Sequence, residues 1–326
     1  MKFVKKIIRS FGRVEKRSVD QFPSNVLLEP TNACNLRCRM CPAYGEGVER
    51  KRDIGFINRE VWTKALDEIG TWPSRVNLDL HGAGEPLLHP DFLDMLAHAR
   101  SKKNITVGFL SNATLLNREM ASAIMDIGLD WICFSVDGAE KHIFEHYRKG
   151  ADFDLVEENI KYLLSIRKGS NPVISFNMVR HQELDVKMFI DKWSGLVDVL
   201  NISLKRLQGI NGAGGLKLLT PCALIYQQLP IAWTGKAGLC CEDFWLDHVI
   251  GTFPEESLYE IWHGKLLNNI RKKHEKQQAD DVKLCRTCNA TFLHLHKEWF
   301  VEKGRINTLI REELPEMRPE IAVKAN

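Results

Sequence analysis

Between Asn25 and Ser203 short β-branched or apolar runs alternate with amphipathic stretches, and this alternation constrains the fold more than any other feature of the chain. The strand candidates are Val26–Glu29, Arg75–His81, Ile105–Ser111, Trp131–Ser135, Val173–Met178 and Val199–Ser203. Helical spacing of apolar residues falls between them, at Asn58–Ile69, Asp91–Lys102, Asn117–Ile127, Phe153–Lys168 and Leu184–Gly195. Repeated strand-then-helix units predict an α/β fold with a parallel sheet and right-handed crossovers. Six strands are too few to close an eight-stranded barrel, and in sheets of this class ligands sit at the C-terminal ends of the strands.

The run EPTNACNLRCRMCP over residues 29–42 begins at the end of the first strand and holds Cys34, Cys38 and Cys41. Three thiolates spaced by three and then two residues can wrap one loop around three corners of a cubane iron–sulfur cluster, whose fourth iron stays open. An open iron can chelate a ligand, so the spacing speaks for chemistry. A zinc knuckle or three buried thiols are the competing uses, but zinc wants a fourth ligand nearby, and the next Cys or His is His81. With this motif the chain resembles the radical S-adenosylmethionine (SAM) superfamily, whose signature is C-x3-C-x2-C with an aromatic or bulky residue before the last cysteine, the place Met40 fills. The resemblance implies a partial (β/α)6 barrel over residues 25–205, a [4Fe-4S] cluster on the three cysteines, and SAM chelated by the open iron.

The second strand candidate runs into HGAGEP at residues 81–86. Glycines admit a ligand close to the backbone, and a carboxylate behind them can accept hydrogen bonds from an ammonium group. The stretch resembles the family's GGE-type SAM motif, which carries over onto Gly82, Gly84 and Glu85. By the same resemblance Ser111 and Asn112 at the third strand end and Ser135 at the fourth face the ribose of SAM, and Arg148 pairs with its carboxylate. Serine and asparagine at strand ends also serve as plain caps.

After Ser203 the alternation stops, and Gly209, Gly212, Gly214 and Gly215 mark a loop-rich transition. Five further cysteines follow: Cys222, Cys240, Cys241, Cys285 and Cys288. A C-x2-C pair such as Cys285 and Cys288 can hold two corners of a cluster, and two distant cysteines can complete it; a zinc ribbon is the competing use. The segment resembles the SPASM and twitch extensions of radical SAM enzymes, which implies a small auxiliary [4Fe-4S] module over residues 206–312. The cysteine spacing is similar to that of radical SAM enzymes acting on aminocyclitols and aminoglycosides, which implies Cys222, Cys240, Cys285 and Cys288 as ligands and leaves Cys241 spare. Which of Cys240 and Cys241 is the ligand stays open. A spare thiol can donate hydrogen to a substrate radical or lie buried and inert, as Cys133 on the fourth strand is expected to. Glu242 and either Lys205 or Arg206 are candidates to bind or deprotonate a polar substrate.

The first residues lack an apolar signal-peptide core and no run approaches the ~18 apolar residues of a membrane span, so the chain reads as cytoplasmic, where clustered cysteines are metal ligands. The 45 basic and 42 acidic residues are spread along the chain and leave no footprint for nucleic acid. Within residues 1–24, Met1–Arg17 sets Phe3, Val4, Ile7, Ile8, Phe11 and Val14 opposite a basic face. Such a helix packs against the body of a protein or lies on an anionic membrane, packing being the commoner use. Residues 313–326 form a polar tail.

The expected activity is that of a radical SAM oxidoreductase or isomerase. A 5'-deoxyadenosyl radical takes hydrogen from a carbinol carbon of a carbohydrate or aminocyclitol-type substrate, and Cys241 returns a hydrogen in an epimerisation. The alternatives are dehydrogenation through the auxiliary cluster, peptide modification, for which the 24 residues before the first strand are short, and non-enzymatic iron–sulfur electron transfer, which needs neither Glu85 nor an open iron. The family resemblance also implies an external one-electron donor such as flavodoxin or ferredoxin.

Overall fold

The computed structural model describes residues 22–49, 51–181, 185–205, 221–286, 288, 295–304 and 306–314. The amphipathic segment of residues 1–17, Arg206, the glycines of residues 209–215 and most of the polar tail lie outside the described residues.

All six expected strands form: β1 (Asn25–Leu28), β2 (Val76–Leu80), β3 (Ile105–Ser111), β4 (Trp131–Ser135), β5 (Val173–Arg180) and β6 (Val199–Leu204). Each pairs parallel with its sequence neighbour. The helices between them are α1 (Arg59–Gly70), α2 (Phe92–Arg100), α3 (Arg118–Ile127), α4 (Lys141–Tyr147), α5 (Phe153–Ile166) and α6 (Val186–Trp193). Helix α1 shows the local logic. Asn58 caps it by accepting from Glu60 N–H, and Trp62, Ala65, Leu66 and Ile69 recur on one face and are buried. The short helix α4 was not expected from the sequence.

The sheet does not end at the six central strands. Strand β7 (Gln228–Ile231) adds parallel to β1 and is followed by β8 (Lys236–Ala237) and β9 (Gly251–Thr252). At the other edge, the hairpin of β10 (Leu295–Lys303) and β11 (Ile306–Leu314) adds β11 parallel to β6. The later segment thus extends the barrel sheet on both sides. Its remaining elements are α7 (Leu224–Gln227), α8 (Leu258–Trp262), α9 (Lys265–Glu275) and α10 (Lys283–Arg286). Helices α8 and α9 are separate because Gly264 between them takes an extended conformation and stands at the N-cap of the second.

Successive strand residues point to opposite faces, which sorts the sheet chemically. Val26, Leu28, Leu78, Leu80, Phe109, Ile132, Phe134 and Phe176 build the core with the helices. The inner face instead carries Asp79, Cys133, Ser175, Asn177, Asn201 and Ser203, over an apolar floor of Trp131, Val173, Val199 and Leu309. Gly108 is required there, since a Cβ on it would meet the Trp131 ring at 2.2 Å. No helix among the described residues is long and apolar enough to cross a membrane.

Candidate functional site

The C-terminal strand ends open into a cavity of about 560 Å³. Cys34, Cys38, Met40, Cys41, Gly82, Gly84, Glu85, Ser111, Asn112, Ser135 and Arg148 all line it, and the later segment adds Cys240, Cys241 and Glu242. The structure therefore gathers on one wall-set every candidate for the SAM half. Lys205 lines the cavity too, whereas Cys222, Cys285 and Cys288 lie off its lining.

The cysteine loop is held at both ends. At its start the buried Glu29 pairs with Arg52 at 2.5 Å and accepts from the backbone N–H groups of Ala83 (3.0 Å) and Trp233 (3.1 Å). Arg52 also donates to the Phe244 carbonyl at 3.0 Å, so one ion pair fastens together β1, the glycine turn and the later segment. Further along, the N–H groups of Arg37 and Arg39 donate to the Lys149 and Tyr147 carbonyls, both at 2.9 Å, which docks the loop on the end of α4. Leu36 is buried between these bonds.

Burial pushes the Cys34 thiol up to about 11 and raises that of Cys38, so as free groups both are neutral thiols, and iron binding would displace their protons. Arg148 reaches Cys38 Sγ at 3.9 Å and pairs with the fully buried Asp137 at 2.6 Å. Its charge thus stands beside Cys38 in the cysteine loop, where it favours a thiolate, whereas the resemblance aims it at the SAM carboxylate.

Glu85 is 2% exposed. Its Oε1 accepts from Ser111 Oγ (2.8 Å) and Leu87 N–H (3.2 Å), and its Oε2 from Asn112 N–H (2.7 Å), while burial pushes the carboxyl up to about 7. Ser111 and Asn112 are thereby engaged within the protein: the Ser111 hydroxyl holds Glu85, and the Asn112 side chain donates to Asn35 Oδ1 of the cysteine loop at 3.0 Å. The glycines serve the same junction. A Cβ on Gly82 would lie 2.3 Å from Glu29 Cγ, and one on Gly84 2.3 Å from the Ala33 carbonyl oxygen. Their freedom is spent on seating the turn against the cysteine loop.

Sequence reasoning passed over His81, Asn177 and Ser203, which also line the cavity. Burial lowers His81 to about 4, so its imidazole is neutral, and among the described residues its buried Nδ1 has no hydrogen-bond partner. The readable signal was polar alternation in a strand destined for burial: Asn77, Asp79 and His81.

On the later segment, Cys240 is deeply buried, and burial together with the charges of Cys241 and Cys222 raises its pKa. The Cys222 N–H donates to His274 Nδ1 of α9 at 3.4 Å, and Cys285 and Cys288 are buried at the end of the chain of short helices that packs on α9. Asp243 organises the loop after the cysteines by accepting from the N–H groups of Leu239, Asp247 and His248. Among the described residues no three His, Cys, Asp or Glu side chains converge on one point, as a single metal ion requires. The thiolates of a cubane bind one iron each and need no such convergence.

Residues 28–187 match the Radical SAM superfamily model, and residues 222–289 match SPASM, an iron-sulfur cluster-binding domain. These domains go with SAM and [4Fe-4S] clusters, which the two cysteine sets fit. A tungsten-containing aldehyde ferredoxin oxidoreductase cofactor-modifying protein of Pyrococcus furiosus is 35% identical over 111 residues, 34% of this chain and 30% of that one. The chain therefore matches under a third of that relative's length. The S-adenosyl-L-methionine-dependent 2-deoxy-scyllo-inosamine dehydrogenase of Niallia circulans is 19% identical over 285 residues, covering 86% of this chain and 98% of its own. Among solved structures, BtrN in complex with AdoMet and 2-DOIA superposes with a TM-score of 0.58 at 16% identity, over 83% of this chain and 94% of that one, and so shares the fold.

Proposed function

As an enzyme of the radical SAM superfamily with a SPASM iron–sulfur domain, the chain, we propose, takes hydrogen from a carbinol carbon of a small polar cyclic alcohol and inverts that carbon, Cys241 returning the hydrogen. The observation that carries this reading is the placement of Cys241. Cys240 and Cys241 both line the cavity of Cys34, Cys38, Cys41 and Glu85, but Cys241 is the less buried of the two, and Cys240 is within electrostatic reach of Cys222. That division of labour suits Cys240 as auxiliary ligand with Cys222, Cys285 and Cys288, and Cys241 as the hydrogen donor.

Cys34, Cys38 and Cys41 would hold the cluster, which together with SAM would supply, on taking one electron, a 5'-deoxyadenosyl radical and methionine. The protein's residues do the rest. Glu85 keeps one face of the cavity acceptor-rich for an ammonium group, and the Asp137-paired Arg148 balances the thiolates. Glu242 and Lys205 flank the space left for an alcohol. The Cys241 S–H bond breaks as the new C–H bond forms, leaving a thiyl radical. One electron, from a flavodoxin- or ferredoxin-type donor, and one proton reset the thiol; an auxiliary cluster, which Cys222, Cys240, Cys285 and Cys288 would hold, would supply electron-transfer chemistry beside it.

Dehydrogenation is the second reading, favoured by the Niallia relative, which is matched over 98% of its length. There the substrate radical gives up one electron and passes its hydroxyl proton to a base; an auxiliary cluster held by Cys222, Cys240, Cys285 and Cys288 would supply the electron acceptor. Turnover of 2-deoxy-scyllo-inosamine in deuterated water separates the two. Epimerisation leaves one solvent deuterium on the inverted carbon, and Cys241→Ala stops product while 5'-deoxyadenosine still forms. An unlabelled product two mass units lighter, made equally well by Cys241→Ala, overturns the donor role.

A further inference from the structure

A second cavity, of about 300 Å³, lies inside the barrel and shares Leu110, Asn177 and Ser203 with the first. Its floor is Trp131 with Val173 and Val199, and its outer wall is the β10–β11 hairpin, through His296, Arg311 and Glu313. That hairpin falls outside both segments that match the family models. We propose that this chamber is a binding subsite for the ring of a small cyclic polyol that carries an amino group, seated with its ammonium on Asp79. The inference rests on the carbinol reading above and adds to it the amine and where it binds.

The buried Asp79 is the end point of a directed set of hydrogen bonds. Its Oδ1 accepts from Asn77 Nδ2 at 2.5 Å and its Oδ2 from Asn25 Nδ2 at 3.0 Å. Those amides are oriented in turn, Asn77 by Trp131 Nε1–H (3.1 Å) and Asn25 by Gln228 Nε2–H (3.3 Å), and Gln228 accepts from the Cys241 N–H (3.1 Å). Every side-chain amide in the series donates towards Asp79, which fixes it as an acceptor. A carboxylate offers about four acceptor sites, and two amides leave room for another donor. Its burial is costly without a cation and pushes the carboxyl up to about 6. An ammonium offsets that cost. Around it, Ser175 and Ser203, whose hydroxyls donate to the Ile132 carbonyl (3.3 Å) and to Asn177 Oδ1 (3.1 Å), can accept from ring hydroxyls, the amides of Asn177 and Asn201 can donate to them, and the volume suits one six-membered ring better than a peptide.

Calorimetry on cluster-reconstituted, SAM-saturated protein tests this with 2-deoxy-scyllo-inosamine and the amine-free myo-inositol as probes. Wild type should bind the amine at least ~10-fold more tightly, and Asp79→Asn should erase that preference with SAM affinity unchanged, as expected for one charge-assisted hydrogen bond. Asn201→Leu, which leaves the Asp79 bonds intact and fills the chamber, should abolish binding of both rings and covers the case in which Asp79→Asn fails to fold. An amine preference that survives Asp79→Asn, or ring binding that survives Asn201→Leu, or no binding of either probe, overturns the proposal. Asp79-dependent binding without turnover sinks the carbinol reading and leaves the chamber standing.

Discussion

Glu85 and Asp79 are carboxyls held in burial above their ordinary range, at about 7 and about 6, each propped by neutral donors. For a carboxyl raised on folding, the stability it contributes is complete below its unfolded value and is lost as pH rises through the folded one. Before cofactor loading the protein should therefore lose stability from about pH 4 to pH 7, by the order of 3 kcal/mol for each group. His81, lowered to about 4, works the other way, and its stability is lost as pH falls from about 6.5 towards 4. The imidazole offsets about one of the two carboxyls, so the expected profile still falls from about pH 4 to pH 7. Ser111→Ala removes the 2.8 Å donor to Glu85 and should cost about 1–3 kcal/mol, more at pH 8 than at pH 5.5, because the bond is stronger to the ionised form. Denaturant unfolding at the two pH values checks this. Equal losses would mean that Glu85 does not ionise in that range.

The turn of residues 81–86 and the cysteine loop behave as one element, because each supplies what the other lacks. Gly84 leaves space for the Ala33 and Thr31 carbonyls, and Glu85 N–H donates to Ala33 at 2.8 Å. Backbone crowds Gly84 closely, so Gly84→Ala has no cheap relief and should cost at least about 1–3 kcal/mol. We expect it to unseat the loop and leave about four irons per chain out of about eight, the auxiliary cluster surviving. Gly238→Ala, which meets the flexible end of Leu246 at 3.2 Å, should keep both. A full iron complement in Gly84→Ala would separate turn from loop. The sequence made these glycines legible as sites of close approach but not what approaches, since the partner lies some fifty residues back in the chain. The same holds for Arg148, whose pairing with Asp137 depends on how α4 turns back over the sheet. The six central strands were readable because burial leaves short apolar or β-branched runs set between amphipathic helical stretches. Strand β11 was not, because the charged run INTLIREEL names no sheet edge.

Across the molecule the two cysteine sets are supported by separate structure, one by β1, the glycine turn and α4, the other by the short helices around α9. Anaerobically reconstituted protein should hold about eight irons, and the triple variant Cys34→Ala, Cys38→Ala, Cys41→Ala about four, with an intact unfolding transition and no SAM cleavage. Iron analysis and a reductive cleavage assay decide it, and cleavage by the triple variant would place the open iron elsewhere. The order of the sheet carries a consequence in time. Translation delivers the six central strands first, with the outward edges of β1 and β6 both bare. Strand β7 covers the first some 200 residues after β1 has emerged, and β11 covers the second only after another 80 or so. A bare parallel edge invites pairing with a neighbouring chain. Throughout that interval the nascent chain depends on dilution or chaperones to stay single, and crowded overexpression should draw it into inclusion bodies before its last strand arrives.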